Sequence, residues 1–272
     1  MSADDAAFAQ LSRQIARGAG MVLGAYKDKC VRRRIAVRMR ACGVHTYADY
    51  CALLERSPEE YERLRDALTI NVTRFYRNAD TWSVLRRDLV PALVDAGGRD
   101  FRAWSAGCSS GEEPYTIAMT LAESMPDGNF EVHATDIDTQ VLAHAHDAVY
   151  PLGAVASLSP GRQKRFFLRG TGRYEGRARV RPELAAKVSF GRLNLMDRDW
   201  PIEGRFDAIF CRNVMIYFDK PTQRRLIERF RERLKPAGLF FAGHAESLLD
   251  NGRHFRLRGQ TVYVRVDGGP GA

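Results

Sequence analysis

The segment Trp104-Ser105-Ala106-Gly107-Cys108-Ser109-Ser110-Gly111-Glu112-Glu113-Pro114 joins a strand-like apolar run, Phe101 to Trp104, to a helix-like one, Pro114 to Leu121. The joint is made of small residues, which add almost no side-chain bulk, so its backbone can lie close against a ligand. No Lys follows the glycines, which excludes a phosphate loop, and two carboxylates stand where a pyrophosphate would be repelled. The pattern suits a ligand that is neutral or cationic near the helix start. S-adenosylmethionine (SAM) has that chemistry: a sulfonium, an ammonium and a ribose, without phosphate. A plain strand–helix connection is the other reading of the same residues.

A second acidic position follows roughly 25 residues later, near the spacing of dinucleotide folds. Phe130-Glu131-Val132-His133-Ala134-Thr135-Asp136 reads as the next strand, and an Asp at a strand's carboxyl end commonly takes ribose hydroxyls. Either Asp136 or Asp138 can instead cap the helix Thr139 to Asp147. Asp138 suits the cap better, which leaves Asp136 for a ligand.

Length and composition bound the rest. With 272 residues, 45% hydrophobic and 28% charged, the chain fits a globular protein of one large domain or two modest ones. No run reaches the roughly 20 apolar residues of a membrane span, and Met1-Ser2-Ala3-Asp4-Asp5 does not open a secretory signal. Five cysteines without a C-x-x-C pair argue against a disulfide framework or zinc site and for a cytoplasmic protein. The formal charge of +9 suggests an acidic partner, although an arginine-rich composition has other origins.

Residues 6 to about 70 carry helical spacing: Phe8, Leu11, Ile15, then Val31, Ile35, Met39, Cys42, then Tyr47 to Leu54 and Glu59 to Leu68. From Phe101 short apolar strands alternate with helices. The strands are Phe101–Ser105, Phe130–Asp136, Val188–Leu193, Phe206–Cys211, Leu239–Ala242 and Thr261–Val266; the helices are Thr81–Ala96, Tyr115–Ser124, Thr139–Asp147 and Pro221–Leu234. This alternation predicts an α/β domain with a mainly parallel sheet covered on both faces. A Gly-, Arg- and Ser-rich stretch, 151–182, interrupts it with a hairpin from Arg165–Arg169 to Arg177–Arg181. The expected organisation is an N-terminal helical domain, 1–78, and an α/β domain, 79–272, with the small β insertion inside it.

Taken in order, these stretches resemble the chemotaxis receptor methyltransferases, the CheR family. The order is Asn71-Val72-Thr73-Arg74-Phe75-Tyr76-Arg77, the Trp104–Tyr115 turn, Ala134-Thr135-Asp136-Ile137-Asp138, Asn194-Leu195, and Phe206 to Phe218 with its Cys211-Arg212-Asn213 core. Leu234 to Ser247, including Gly243-His244-Ala245-Glu246, and Leu257 to Tyr263 complete the likeness, which spans nearly everything after about residue 20. The resemblance implies a Rossmann-like, SAM-dependent methyltransferase domain, transfer of methyl groups to glutamate side chains of chemoreceptors, and no metal. It implies that SAM lies against Asn71, Thr73, Arg77, Glu113, Asp136, Asn194, Leu195, Arg212 and Asn213, with Arg77 and Tyr217 beside the methyl group.

The residue chemistry agrees with several of these roles. Glu113 or Glu112 can pair with the SAM ammonium, Asp136 can bridge two ribose hydroxyls, and the Asn194 amide can read the adenine edge. Arg77, an obligate cation with a fork of donors, suits a carboxylate, or else is a surface charge at a helix start. Tyr217 is an acceptor-orienting group or a core aromatic beside Phe218. A glutamate is ionised at neutral pH, so no general base is needed, and no Ser/His/Asp or Cys/His pattern is present. His133 and His244 read as packed side chains, and Cys108 and Cys211 as small apolar linings without activated thiolates.

The helix Lys27 to Arg40 carries an apolar stripe, Val31, Ile35, Met39 and Cys42, and two basic ones. Lys27, Arg34 and Arg38 form one; Lys29, Arg33 and Arg40 form the other. The first is expected to dock the cytoplasmic domain of the receptor; nucleic-acid binding and simple solvation are the alternatives. Against nucleic acid, no aromatic residues are interleaved for base stacking. The insertion is expected either to bind a receptor's C-terminal peptide as an added strand or to be a structural flap. The chain is expected to act as a monomer without inserting into a membrane. Methylation of RNA or a small molecule, or a non-catalytic SAM-sensing module, are the competing functions.

Overall fold

Among the sets of buried apolar side chains that organise the described residues are two that share no member. The first is built on Leu11, Ile15, Val31, Ile35, Tyr50 and Leu64, the second on Phe101, Tyr115, Ile117, Val132, Phe210 and Phe241. The computed structural model describes residues 3–19, 28–68, 73–95, 100–126, 128–243, 246, 254–259 and 261–266. A first unit comprises Met1–Asn71 with Met196–Arg198 and Met215–Arg225; a second comprises Val72–Leu195, Asp199–Val214 and Leu226–Ala272. The division falls at Asn71/Val72 and not at 78, because Phe75 is buried in the core of the second unit.

The first unit contains α1 (Ala3–Ala19), α2 (Asp28–Ala41), α3 (Tyr47–Arg56) and α4 (Pro58–Leu68). Each begins where the chemistry of helix starts allows. Thr46 caps α3, its hydroxyl accepting the Asp49 N–H at 3.1 Å, and Pro58 opens α4 where an N–H is not needed. Helix α1 packs on α3, with Phe8 edge-on to Tyr47 at 5.3 Å, and α2 packs on α4.

The second unit opens with α5 (Ala79–Val84), a π-helical turn (Leu85–Leu89) and α6 (Val90–Asp95). The sequence suggests one unbroken helix here. Pro91 has no N–H to return to the preceding turn, and the ladder widens just before it. The chain then runs β1 (Asp100–Ala106), α7 (Glu112–Ser124), β2 (Asn129–Asp136) and α8 (Thr139–Asp147). The insertion follows as β3 (Val149–Pro151), α9 (Leu152–Val155), α10 (Pro160–Phe166), β4 (Phe167–Arg169), β5 (Arg177–Val180) and α11 (Pro182–Ala185). The remaining elements are β6 (Val188–Arg192), β7 (Phe206–Cys211), α12 (Lys220–Arg233), β8 (Leu234–Ala242), β9 (Phe255–Gly259) and β10 (Val262–Arg265).

Seven strands form one sheet in the order β6-β2-β1-β7-β8-β10-β9. The first five are parallel, while β10 and β9 are antiparallel. Every residue of central β7 is buried, as a parallel strand covered on both faces requires. From β1 the chain builds outward through β2 and β6, then returns to add β7 and β8 on the other side. The switch point therefore lies at the carboxyl ends of β1 and β7, where open α/β sheets bind ligands.

The expected hairpin is present as β4 and β5, with Phe167 opposite Val180. Its sheet has a third strand that the sequence reading lacked: β3 pairs with the other side of β5, so the order is β3-β5-β4 and the sheet begins at Val149. Three residues directly after a helix are too few to show a period of two. Strand β9 is likewise an addition to the expected set.

Candidate cofactor and methyl-transfer site

The turn after β1 wraps around the end of β2. Gly107 and Cys108 donate their N–H groups to the Thr135 carbonyl at 2.8 and 3.0 Å, and Ser109 donates its N–H to Asp136 Oδ2 at 2.8 Å. Gly107, at φ +86°, permits this path, and a Cβ there would overlap the Val214 side chain. At Gly111, φ +96°, a Cβ would stand 2.7 Å from the Tyr150 hydroxyl, which itself donates to the Ser110 carbonyl.

Asp138 caps α8, its Oδ1 accepting the N–H groups of Gln140 and Val141, while Asp136 stands outside the helix. Asp136 Oδ1 accepts the Asp138 N–H at 3.0 Å. Burial pushes its carboxyl above the usual range, and the backbone N–H groups of Asp138 and Ser109 oppose that rise. Backbone N–H groups of Ser109, Ile137 and Asp138 thus fix the carboxylate, which keeps further acceptor capacity for hydroxyls. Leu193 donates its N–H to the Asp136 carbonyl at 2.9 Å, which brings half-buried Asn194 and buried Leu195 to the same end of the sheet. Leu195 is held through its carbonyl by Arg229 Nη1 at 3.1 Å.

Across the switch point, Glu113 and Arg212 form an ion pair at 3.0 Å, with side-chain exposures of 14% and 2%. Glu113 Oε1 also accepts the Ser105 hydroxyl at 2.9 Å. Arg212 Nη2 donates to the Arg77 carbonyl at 3.2 Å, and Trp82 Nε1 donates to the same oxygen at 3.0 Å. The sequence left Glu112 and Glu113 as equals; the geometry separates them. Glu112 turns to the Ser110 hydroxyl at 2.7 Å and burial pushes its carboxyl up, whereas Glu113 faces Arg212. Two buried donors, Arg212 Nε and Ser109 Oγ, have no protein partner among the described residues. A zwitterionic amino acid tail and a polyhydroxylated ribose offer acceptors of the kind such donors need, so these residues fit SAM.

Asn213 adopts φ +62° and donates its N–H to Glu246 Oε2 at 3.0 Å; Gly243 donates to the same oxygen. Glu246 therefore ties the exits of β7 and β8 together, a part that the sequence reading did not assign. The only signal was its place in the Gly243-His244-Ala245-Glu246 run. Thr73 and Arg77 are half-buried. Tyr217 ends a 3₁₀ turn, Met215–Tyr217, in the first unit, and is also half-buried. Asn71, Lys27 and His244 lie outside the described residues.

The proposed docking stripe needs correction. Arg38 is paired with buried Glu60 through two bonds, Nε to Oε1 at 3.0 Å and Nη2 to Oε2 at 2.5 Å, and Tyr50 donates its hydroxyl to the same carboxylate at 2.8 Å. Burial would raise the Glu60 pKa, yet the bonds from Arg38 and Tyr50 hold it below the usual range. Arg34 Nη1 donates to the carbonyls of Ala67 and Leu68 at the end of α4, at 3.2 and 3.1 Å. Both guanidinium groups are therefore engaged within the first unit and are not the free docking charges that the stripe implied. The two residues follow the apolar positions Val31 and Ile35 by three residues, which turns their stems toward α4. Among the described residues of α2, Arg33, Val37, Arg40 and Ala41 face water, with Val37 49% exposed.

His133 is half-exposed, not interior, and shares its ring nitrogens with Arg102, Glu131 and Ser189. Cys108 and Cys211 are buried, and burial pushes both thiols up, so neither is a thiolate at neutral pH. Among the described residues no cluster of His, Cys, Asp and Glu is arranged to hold a metal, and no helix is long and apolar enough to cross a membrane.

Residues 71–264 match the family described as "CheR methyltransferase, SAM binding domain", and residues 6–69 match "CheR methyltransferase, all-alpha domain". The chain is similar to the chemotaxis protein methyltransferase of Klebsiella aerogenes, 47% identical over 95% of this chain and 89% of the relative. It is also similar to those of Salmonella typhimurium, 44% identical over 97% and 91%, and Escherichia coli, 43% identical over 97% and 92%. An all-alpha part and a SAM-binding part are what the two family descriptions name, they match nearly the whole chain, and the chain belongs to the CheR family of SAM-dependent methyltransferases.

Proposed function

We propose that this enzyme transfers the methyl group of SAM to glutamate side chains in the cytoplasmic domain of chemoreceptors, forming the methyl esters that adapt the sensory response. The observation that carries this reading is the match of both units, over nearly the whole length, to relatives named as chemotaxis methyltransferases. SAM supplies an electrophilic methyl on a sulfonium. The glutamate oxygen forms the new O–CH₃ bond while the S–CH₃ bond breaks and sulfur keeps the electron pair. No proton moves, which agrees with a site whose thiols are protonated and whose carboxylates serve as hydrogen-bond acceptors.

The site residues then divide by charge. Glu113 takes the ammonium of the methionine tail and Arg212 its carboxylate, a zwitterion against an ion pair. Asp136 takes the ribose hydroxyls, Asn194 and Leu195 the adenine, and Asn71, Thr73 and Asn213 further polar edges. Arg77 and Tyr217 align the incoming carboxylate with the methyl group. A tight Arg77 salt bridge would quench the nucleophile, so its part is orientation and water exclusion.

The receptor is reached in two places. The outer face of α2, Arg33, Val37 and Arg40, offers charge around an apolar centre to an acidic helical surface. The inserted sheet borders a groove of about 760 Å³ with Leu168, Arg169, Arg173, Tyr174, Arg177 and Arg179 among its walls. Both β3 and β4 are edge strands of that sheet, so a receptor's C-terminal peptide can add as a strand, with arginines for its terminal carboxylate. Such tethering raises the effective concentration of methylation sites. The enzyme works in the cytoplasm as a monomer.

Methyl-labelled SAM incubated with the enzyme and receptor-bearing membranes, followed by alkali, tests the reaction. Glutamyl methyl esters release volatile labelled methanol. Label that stays in base-stable form, or appears in RNA, contradicts the proposal.

A further inference from the structure

The inserted subdomain touches more than its own groove. The segment that carries Thr73 and Arg77 has a left-handed residue at Tyr76, φ +51°, and another at Asn78, φ +61°. Such a conformation is unfavourable for a bulky residue such as Tyr76, so it persists only where the surroundings over-determine it. The surroundings here come largely from the insertion. Phe75, 2% exposed, sits edge-on to Tyr150 of β3 at 5.0 Å and to Phe167 of β4 at 5.4 Å. The Arg162 guanidinium of α10 lies 4.1 Å from the Tyr76 ring centre. Arg162 is itself fixed by two 2.7 Å bonds to Glu123 of α7, Nε to Oε1 and Nη2 to Oε2.

Other contacts complete the clamp from the sheet side. The Tyr76 N–H donates to Thr116 Oγ1 at 3.2 Å, its ring packs edge-on against Trp82 at 5.9 Å, and the next carbonyl, that of Arg77, is held by Trp82 and Arg212. The Tyr76 N–H and the Arg77 carbonyl are thus held by α7, Trp82 and Arg212, and the Phe75 and Tyr76 rings by the insertion.

We infer that Tyr76 and Arg162 are positioning residues for methyl transfer: the insertion holds the Phe75–Arg77 segment in its strained working conformation. The subdomain is then part of the active-site frame as well as a docking platform. The inference rests on the reading of Arg77 as a residue at the reacting groups. It assigns α10, remote in sequence from every cofactor residue, a part in turnover.

The test uses the full chain and receptors shortened by their C-terminal tail, so that peptide tethering contributes nothing. Misplacement of reacting groups by about 1 Å can cost up to a hundredfold, and Arg162→Ala and Tyr76→Ala are each expected to lower kcat on these receptors by about tenfold or more. Tyr76→Phe keeps the ring under Arg162 and recovers most of that loss, while Tyr76→Leu does not. Thermal unfolding of each variant accompanies the rates. If Arg162→Ala does not fold, the Phe and Leu variants at position 76 decide alone. Folded variants with unaltered kcat, or equal rates for Tyr76→Phe and Tyr76→Leu, overturn the inference. Arg77→Ala is measured in parallel: if it keeps normal turnover, the reading of Arg77 fails, which is a separate result from failure of the clamp.

Discussion

Helix α2 and the inserted sheet are both rich in arginine, yet they spend that charge in opposite ways. On α2, Arg34 and Arg38 are drawn onto buried acceptors, and the helix keeps only Arg33 and Arg40 for solvent among its described arginines with exposed side chains. On β5, Arg177 and Arg179 are exposed while Ala178 and Val180 are buried. The difference comes from periodicity. A strand alternates strictly, so a charge between two apolar residues must face away from the core. A helix has intermediate positions beside its apolar stripe, and a long arginine there can reach across to a neighbouring helix. Charge counted along a helix therefore does not say which cations are free to bind a partner.

The largest effect expected from this contrast is on stability. Arg38→Glu leaves Glu60 buried beside a second carboxylate, and breaking one side of a buried pair costs about 3–5 kcal/mol. Urea unfolding should show this loss in the first unit, whereas Arg177→Glu should unfold like the parent. A parent-like midpoint for Arg38→Glu would return Arg38 to the surface.

Next in size is the tail groove. A hydrogen bond to a charged group contributes about 1.5–3 kcal/mol, so losing one in Arg177→Glu should weaken a receptor C-terminal peptide by roughly 10–150-fold. Calorimetric titration checks this, and equal affinity would reduce the insertion to its structural part. A smaller change, about tenfold in kcat/KM on receptor membranes at low salt, is expected for Arg33→Glu with Arg40→Glu. Their effect on stability should stay within about 0.5 kcal/mol. Loss of SAM binding in that double variant would break the docking assignment.

The Arg38–Glu60 pair also sets a pH dependence. Glu60 has its folded pKa depressed, so its contribution is present above the unfolded value of about 4.3 and is lost as pH falls through the folded one. Asp136 and Glu112 are raised, so they oppose folding when ionised, and that opposition is relieved as pH falls through their folded values. Urea midpoints of the parent and Glu60→Gln should therefore diverge above about pH 4.3 and converge in stronger acid.

Much of the site was legible because it rests on exclusion of bulk and on strand ends. The turn at Gly107 and the capping of α8 by Asp138, with Asp136 outside the helix, follow from residue size and capping chemistry, and the structure shows both. The strands of the parallel sheet were legible because β7 and its neighbours are short continuous apolar runs. What was not legible depends on long-range partners. The sequence does not say that Glu113 meets Arg212, 99 residues away, or that Glu246 bonds the N–H of Asn213. The same holds for Arg38, whose partner Glu60 lies 22 residues on. Strand β3 was missed because three residues are too few to show a period, and the π-helical turn because Pro91 only weakens a helical pattern.

The central claim is that SAM is held at the carboxyl ends of β1, β2 and β7, with Asp136 on its ribose. The most direct test is calorimetric titration of the parent and Asp136→Ala with the demethylated product, S-adenosylhomocysteine, which carries the same ribose. The account predicts tight binding by the parent and a loss of about 10–150-fold in the variant, the value of a charged hydrogen-bond acceptor. Equal affinity in a folded Asp136→Ala protein would contradict it.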